Sequence, residues 1–540
     1  LNRRYPSGRP RFYLLHRQPE WNPSEGAWMG YERKRGKLAL LNSWLRHPGT
    51  QFVSVAEMPA HLLPGHIKYA ITLDSDTVLP RDTAHKLVAT MAHPLNTPEY
   101  DPVRQRVVKG FGILQPGLAE EIPRNGQGRY AALRSSVPGN SPYSMMSSDI
   151  YQDLFGEGSF VGKGIYDVDI FMQATTNICP ENLVLSHDLL EGCYARSGLL
   201  SEVLLYEQYP NNYLSDVARR SRWIRGDWQL LNWLKPRVRK ADGTRVRNPL
   251  TALSYWKLLD NLRRSLVAPS LLILLFFTLL WVPNPVYWLG ILLLIWLLPA
   301  ILCISHDLLH KPLRRRVKPH LLLVGVGALK RLSGISLNFA ILPHEAGYSL
   351  KAIAVTLWRL GISRRHLSQW VSHSQDSSQA RPTVARFYQA MWLNAAGGVA
   401  LTILTGQFAP QLLGIALPIG LVWCVAPLLM SWLSRQPVRK VFSPNQEQKQ
   451  LLRQTSREIW AFFETFATAK ENWLPPDNYQ EIPQPTVAHR TSPTNIGLSL
   501  MANLTAWDFG YLPGGEVLRR VSLTLDTMDK MEHYRGHLYN

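Results

Sequence analysis

The sequence predicts an α/β domain over residues 1–245, a helical membrane region with four transmembrane helices over 246–440, and the start of an all-α domain over 441–540. Three observations predict it. Short β-rich runs alternate with helical patterns in the first part, two long central runs lack charged side chains, and polar segments of helical periodicity close the chain. The 540 residues exceed one ordinary core. A beginning at Leu1 and an end at Asn540 read as those of a piece of a longer protein.

In the first part, FYLLHR (12–17), FVSV (52–55), IKYAITLD (67–74) and VVKGFGIL (107–114) read as strands. RGKLALLNSWLR (35–46) and RDTAHKLVATMAH (81–93) read as helices between them. Such alternation places ligand chemistry at the C-terminal ends of the strands. In the last part, TSREIWAFFETFATAKENWL and EVLRRVSLTLDTMDKMEHY have helical periodicity.

In the middle, no Asp, Glu, Lys or Arg occurs from Ser265 to Ser305 or from Phe387 to Ser434. A spanning helix needs about 20 apolar residues, so each run holds two. VPNPV and GQFAPQ mark the breaks, with helices near 265–282, 285–305, 387–406 and 409–433. Basic clusters (KPRVRK, NLRRS, HKPLRRRVKPH, ISRRH, SRQPVRK) flank the hairpins, and their tips are uncharged. The tips therefore face outward, and both flanking domains face the cytoplasm. Residues 319–370 mix short apolar runs with basic residues and read as interfacial helices or as ordinary domain packing. Many of the basic residues behind the net charge of +20 flank these runs, which favours a lipid bilayer over nucleic acid as partner. Cys179, Cys193, Cys303 and Cys424 have neither disulfide-framework nor zinc spacing.

Asp74-Ser75-Asp76 sits where a strand ends. Two carboxylates one residue apart can face one cleft and supply hard oxygen ligands for Mg²⁺ or Mn²⁺. Alone, the triplet is more often a solvated turn. Asp188 in LSHDLLEG is a candidate general base, with Glu191 one turn on as an orienting partner. SHDLL recurs at 305–309, after the second membrane run, so the pentapeptide itself carries little. Arg219, Arg220, Arg222 and Arg225 surround Trp223. Arginines hold diphosphates and an indole face stacks on a sugar ring, whereas an interfacial anchor needs no tryptophan among them. FGEGSFVGKG (155–164) fails the phosphate-loop pattern because Glu157 and Gly164 stand where glycine and a hydroxyl residue are required. It reads as a flexible substrate loop containing Gly162 and Lys163. GYERKRGKLALLN (30–42), with Lys37, is either a diphosphate contact at a helix start or a solvated basic helix.

WNPSEGAWMGYERKRGKL, TLDSDT, GEGSFVGKGIYDVD, HDLLEG and RRSRWIRGDWQ, in that order, resemble the cyclic β-1,2-glucan synthases of glycosyltransferase family 84. RTSPTNIGL and YRGHLYN resemble the start of the glucoamylase-like domain that follows in that family. The resemblance implies a GT-A-type fold whose first strand precedes Leu1, and an inverting, processive transferase in the bacterial inner membrane. It implies UDP-glucose as donor, a growing β-1,2-glucan as acceptor, and downstream domains of the same full-length chain as partners, including a phosphorylase-like one that trims chain length. By the same carry-over, Asp74 and Asp76 bind metal and nucleotide and Asp188 is the base. Arg219, Arg222 and Trp223 match the QxxRW element of processive synthases, with Arg in place of Gln. Lys37, Gly162 and Lys163 are further substrate contacts. The family begins its chains on a tyrosine of the protein. Tyr5, in the Pro- and Gly-containing stretch LNRRYPSGRP, is the candidate, whereas Tyr13 sits in the FYLLHR strand.

Overall fold

The computed structural model describes residues 12–47, 54–56, 67–120, 128–134, 150–312, 316–369, 383–435, 443–534 and 536–539. Tyr5 lies outside them. The chain divides into two compact units, Leu1–Arg439 and Lys440–Asn540.

The first unit opens with the short strands β1 (Leu14–His16), β2 (Glu20–Asn22) and β3 (Ala27–Met29), helix α1 (Arg33–Arg46) and strand β4 (Ser54–Ala56). Then come β5 (Tyr69–Thr72), β6 (Thr77–Val78), α2 (Thr83–Met91), β7 (Glu99–Asp101), β8 (Arg106–Lys109) and β9 (Ile113–Glu120). After α3 (Arg129–Arg134) and α4 (Ile150–Phe155) follow β10 (Gly164–Asp167), α5 (Val168–Thr175), α6 (Asp188–Ala195), β11 (Ser197–Glu207) and α7 (Tyr213–Gln229). The central sheet has the order β5-β10-β9-β11-β6. Only β9 and β11 run parallel; the other pairs are antiparallel. Helices α5 and α6 close one side around Ile113, Tyr166, Phe171, Leu190 and Trp233, all at most 3% exposed. The expected strand VVKGFGIL is two strands. Gly110 turns at φ +63°, and a Cβ there would lie 1.9 Å from the Thr97 carbonyl oxygen, so the chain breaks between β8 and β9.

A hairpin, β12 (Arg237–Arg239) with β13 (Arg245–Arg247), leads into the long helices α8 (Ala252–Leu280), α9 (Pro285–Leu309) and α10 (Val317–Ala340), then α11 (Leu342–Trp358). Among the described residues, four helices are long and apolar enough to cross a membrane: α8, α9, α10 and Pro410–Leu433. Helix α8 begins well before the charge-free run. Its first turns belong to the α/β core, where Lys257 Nζ donates to the Gly158 carbonyl at 2.6 Å. The expected span 387–406 is not one helix. It breaks at Met391 into Val384–Ala390 and Trp392–Phe408, the latter of 17 residues. That piece packs closely on Leu413–Leu433, since a Cβ on Gly398 would lie 2.4 Å from the Gly420 carbonyl oxygen. Helix α10 falls where interfacial helices were expected. Lys330 and Arg331 interrupt its apolar run in the sequence, but Arg331 pairs with Asp307 of α9 at 2.8 Å. Helix α11 packs against α7 and α8.

The second unit has helices Gln446–Phe466, Pro493–Asp508 and Gly514–Lys530. Asn445 and Gln448 form a capping box at the start of the first. Arg520 ties the unit together through Asn503 and the carbonyls of Phe463 and Ala467.

Candidate active site

Strand β5 ends in the turn Asp74–Thr77, closed by the Thr77 amide on the Asp74 carbonyl at 3.1 Å. The turn carries the chain from one edge of the sheet to the other, so Asp74 lies over the strand ends rather than beside them. Lys34, in the first turn of α1, reaches Asp74 Oδ1 at 2.6 Å and the Gly162 carbonyl at 2.7 Å. Lys163 reaches Asp74 Oδ2 at 3.2 Å and also pairs with Glu207 at the end of β11. Burial works to raise the Asp74 pKa, but the two ammonium groups outweigh it and hold the carboxyl below the usual range. Burial likewise works to lower the Lys163 pKa, and Glu207 and Asp74 raise it above the ordinary lysine value.

Asp188 begins α6 and stands directly over Gly162. A Cβ on that glycine, which has φ +87°, would lie 2.7 Å from Asp188 Oδ1 and 3.0 Å from Lys34 Nζ. One ammonium thus touches the backbone beneath Asp188 and the carboxylate of Asp74, from positions 40 and 128 residues away from Lys34. Beside Asp188, His187 Nε2 and Glu191 Oε1 are 3.5 Å apart and nearly sealed from solvent. Burial pushes the His187 pKa down to about 4 and the Glu191 pKa well above its ordinary value, disfavouring the charged form of each.

The expected flexible loop is anchored instead. Glu157, Gly158, Ser159 and Phe160 are buried. Glu157 is clamped between Arg106 at 2.8 Å and Lys257 at 3.3 Å. This anchoring presents Gly162 and Lys163 at a fixed position. Lys37 is exposed one turn beyond Lys34, and the lysine that reaches the cluster is Lys34.

Helix α7 packs on the segment leading to Asp188. Gln229 Oε1 accepts the Leu185 amide at 2.6 Å, and a Cβ on Gly226 would meet Ser186 at 2.6 Å. Asp216, buried in the first turn of α7, collects the Tyr130 and Tyr209 hydroxyls at 2.7 and 3.0 Å and Arg219 at 2.9 Å. Burial works against its ionisation, but Arg220 and Arg219 draw its pKa down to about 2. Arg219 lies between the Tyr209 and Trp223 rings, 4.8 Å from each centroid. Trp223 is 52% exposed and offers its other face to solvent. Arg222 is half-buried on the same helix. Among the described residues, Arg219 and Trp223 share no hydrogen bond or ion pair with Asp74 or Asp188.

Asp76 is exposed at the turn and Glu207 lies nearby, so hard carboxylate oxygens suited to Mg²⁺ or Mn²⁺ gather here. An ion would take the place that the lysines hold on Asp74. His187, Asp188 and Glu191 also bring ligand atoms within 4.8 Å of one another. That trio is largely buried, with His187 and Glu191 sealed from solvent, and suits a hydrated divalent ion less well than the open turn does. The second SHDLL is structural, because Asp307 pairs with Arg331. Lys34 and Glu207 were not singled out by motif. A basic run and a strand end were their only signals.

No family model matches the chain. The cyclic β-(1,2)-glucan synthase NdvB of Rhizobium meliloti (strain 1021) is 36% identical over 548 aligned residues, covering 100% of this chain. The chain spans 19% of that protein's length. Along its whole length, the chain is similar to a segment of that cyclic β-(1,2)-glucan synthase.

Proposed function

We propose that the chain is the transferase and membrane portion of an inverting, processive synthase that builds β-1,2-glucan from UDP-glucose on a GT-A-type domain. The supporting observation is the convergence of Asp74, Lys34, Gly162 and Asp188, which links a candidate nucleotide-binding carboxylate to a candidate base through one ammonium group. In this reading Asp188 takes the proton of the acceptor 2-hydroxyl as its oxygen attacks the anomeric carbon. The bond from that carbon to the phosphate oxygen breaks, UDP leaves with the electron pair, and the centre inverts. A divalent Mg²⁺ or Mn²⁺ held by Asp74 and Asp76 would neutralise the diphosphate as it departs. Arg222 and Arg219 face the leaving group, and Arg219, partnered by Asp216, also fixes the Trp223 ring on which the acceptor sugar stacks. Lys163 can pass from Asp74 to a phosphate while keeping Glu207. Tyr5 remains the candidate first acceptor.

The membrane reading keeps the catalytic domain in the cytoplasm and two hairpins in the inner membrane. Helix α8 starts in the α/β core, and the chain just after α10 returns to it: His344 Nδ1 meets the Tyr213 hydroxyl at 2.7 Å, and Ser368 accepts from Arg33 at 2.9 Å. If α8 and α9 both cross, α10 therefore begins and ends on the same side. The crossing pairs are then α8 with α9, and Trp392–Phe408 with Pro410–Leu433. The test is radiolabelled UDP-glucose incorporation by full-length protein in membranes, followed by linkage analysis and UDP measurement. β-1,2 linkages support the reading. Another linkage favours a linear β-glucan synthase, and no UDP release favours a transporter or scaffold.

A further inference from the structure

Away from the candidate active site, the hairpin β12–β13 carries arginines where sheet physics disfavours them. Arg237 stands opposite Arg247, and Arg239 opposite Arg245. Side chains alternate between faces along a strand, so these four guanidinium groups share one face, while Val238 is buried on the other. Like charges directly opposite each other destabilise a sheet. Asp242, in the connecting turn, does not relieve them, since its carboxylate accepts from the Thr244 hydroxyl at 2.6 Å and from Asn177 at 2.8 Å. Among the described residues, none of the four arginines has an ion-pair partner.

Arg237, Arg239 and Arg245 line a cavity of about 560 Å³ together with Lys235 and Arg364. Glu181 is the carboxylate in its wall, and it already accepts the Tyr31 hydroxyl at 2.6 Å. The volume suits a small ligand. A topogenic signal needs cations on one side of a bilayer. It does not need them paired across a hairpin around a concavity. Leu360 and Leu367 also line it. Nearby Trp358 and Ile362 are 59% and 64% exposed, which fits a position at a membrane surface.

We propose that this cavity binds a phosphate-bearing anion, whose negative charge offsets the paired arginines and whose oxygens take their forked N–H groups. The anion is either a lipid headgroup or a soluble phosphate compound. This inference does not depend on the transferase reading. The test compares full-length protein with its Arg237→Gln/Arg239→Gln/Arg245→Gln variant. One arm titrates inorganic pyrophosphate in detergent with EDTA present, which suppresses metal-dependent binding at the Asp74 turn. The other places both proteins in nanodiscs of phosphatidylcholine alone or with phosphatidylglycerol. Thermal unfolding is the readout.

Pyrophosphate that raises the wild-type Tm, with at least about tenfold weaker action on the variant, assigns a soluble ligand. A Tm gain from phosphatidylglycerol that the variant lacks, without a pyrophosphate response, assigns a lipid headgroup. Without any anion the variant should melt at or above the wild type, because the like charges are gone. If the triple variant does not fold, Arg245→Gln alone is held to the same criteria. Wild type and variant responding alike in both arms, or neither responding, overturns the proposal.

Discussion

Replacing Gly162 by alanine separates site geometry from backbone strain. At φ +87° any L-residue is strained, by roughly 1–2 kcal/mol. The new Cβ would also lie 2.7 Å from Asp188 Oδ1 and 3.0 Å from Lys34 Nζ, well inside ordinary carbon–oxygen contact. Asp188 starts a packed helix and cannot move away freely, so it must swing by several tenths of an ångström or rotate. Misplacement on the order of 1 Å costs about 10²-fold in rate. Gly162→Ala should therefore lower kcat about 10²-fold, with KM for UDP-glucose changed much less. The assay is UDP release from full-length protein in membranes, alongside the Tm of solubilised protein. Gly26→Ala is the matched control. Gly26 has φ +64°, and a Cβ added there would meet nothing within 4 Å, so that variant carries comparable strain without a clash. It should lose similar stability and keep its turnover. If Gly162→Ala turns over within about threefold of wild type, a gap far smaller than a misplaced base should produce, Asp188 is not the base that this geometry makes it.

Asp188→Asn keeps the shape but cannot accept a proton, so kcat should fall at least about 10²-fold with donor binding little changed. Asp307→Asn, which breaks only the pair with Arg331, should leave turnover unchanged, and an inactive Asp307 variant beside an active Asp188 variant would reverse the assignment. Asp76→Asn should abolish transfer while expression and membrane insertion persist, as judged by fractionation and labelled-glucose incorporation. Asp227, raised by burial to about 7 despite its bond from Asn261 at 3.1 Å, should make stability depend on pH. Its folded pKa lies above the ordinary carboxyl value, so the folded state holds the extra proton between about pH 4 and 7 and stability falls as pH rises through that window. Asp227→Asn should flatten this slope and melt above wild type at about pH 8, in unfolding curves taken across the range. Cysteine labels at Asn284 and Gln407 should react with an impermeant reagent from the outside, and one at Ser443 should not; a reactive Ser443 label would mean an odd number of crossings.

The sequence by itself determined what depends on neighbours along the chain. The charge-free runs after Ser265 and Phe387 mark apolar helices because hydrophobicity sums over consecutive residues. The Asp74 turn was legible because a β-rich run stops there, whereas Asp188 stood out only as a carboxylate in LSHDLLEG, a pattern that recurs in part at 305–309. What tertiary structure alone decided were choices between equal local patterns. Two SHDLL segments are identical in sequence, yet Asp188 stands over Gly162 while Asp307 serves an ion pair with Arg331. Among the lysines of the RKRGK run, Lys34 points into the cluster and Lys37 into solvent, because helix phase was fixed by packing of α1 rather than by charge. The loop ending in Gly162 and Lys163 read as flexible from its glycines, but Glu157 is clamped by Arg106 and by Lys257 from a helix that begins 95 residues later (252 − 157). No local pattern encodes that clamp, since its partners meet only when sheet and long helix pack together.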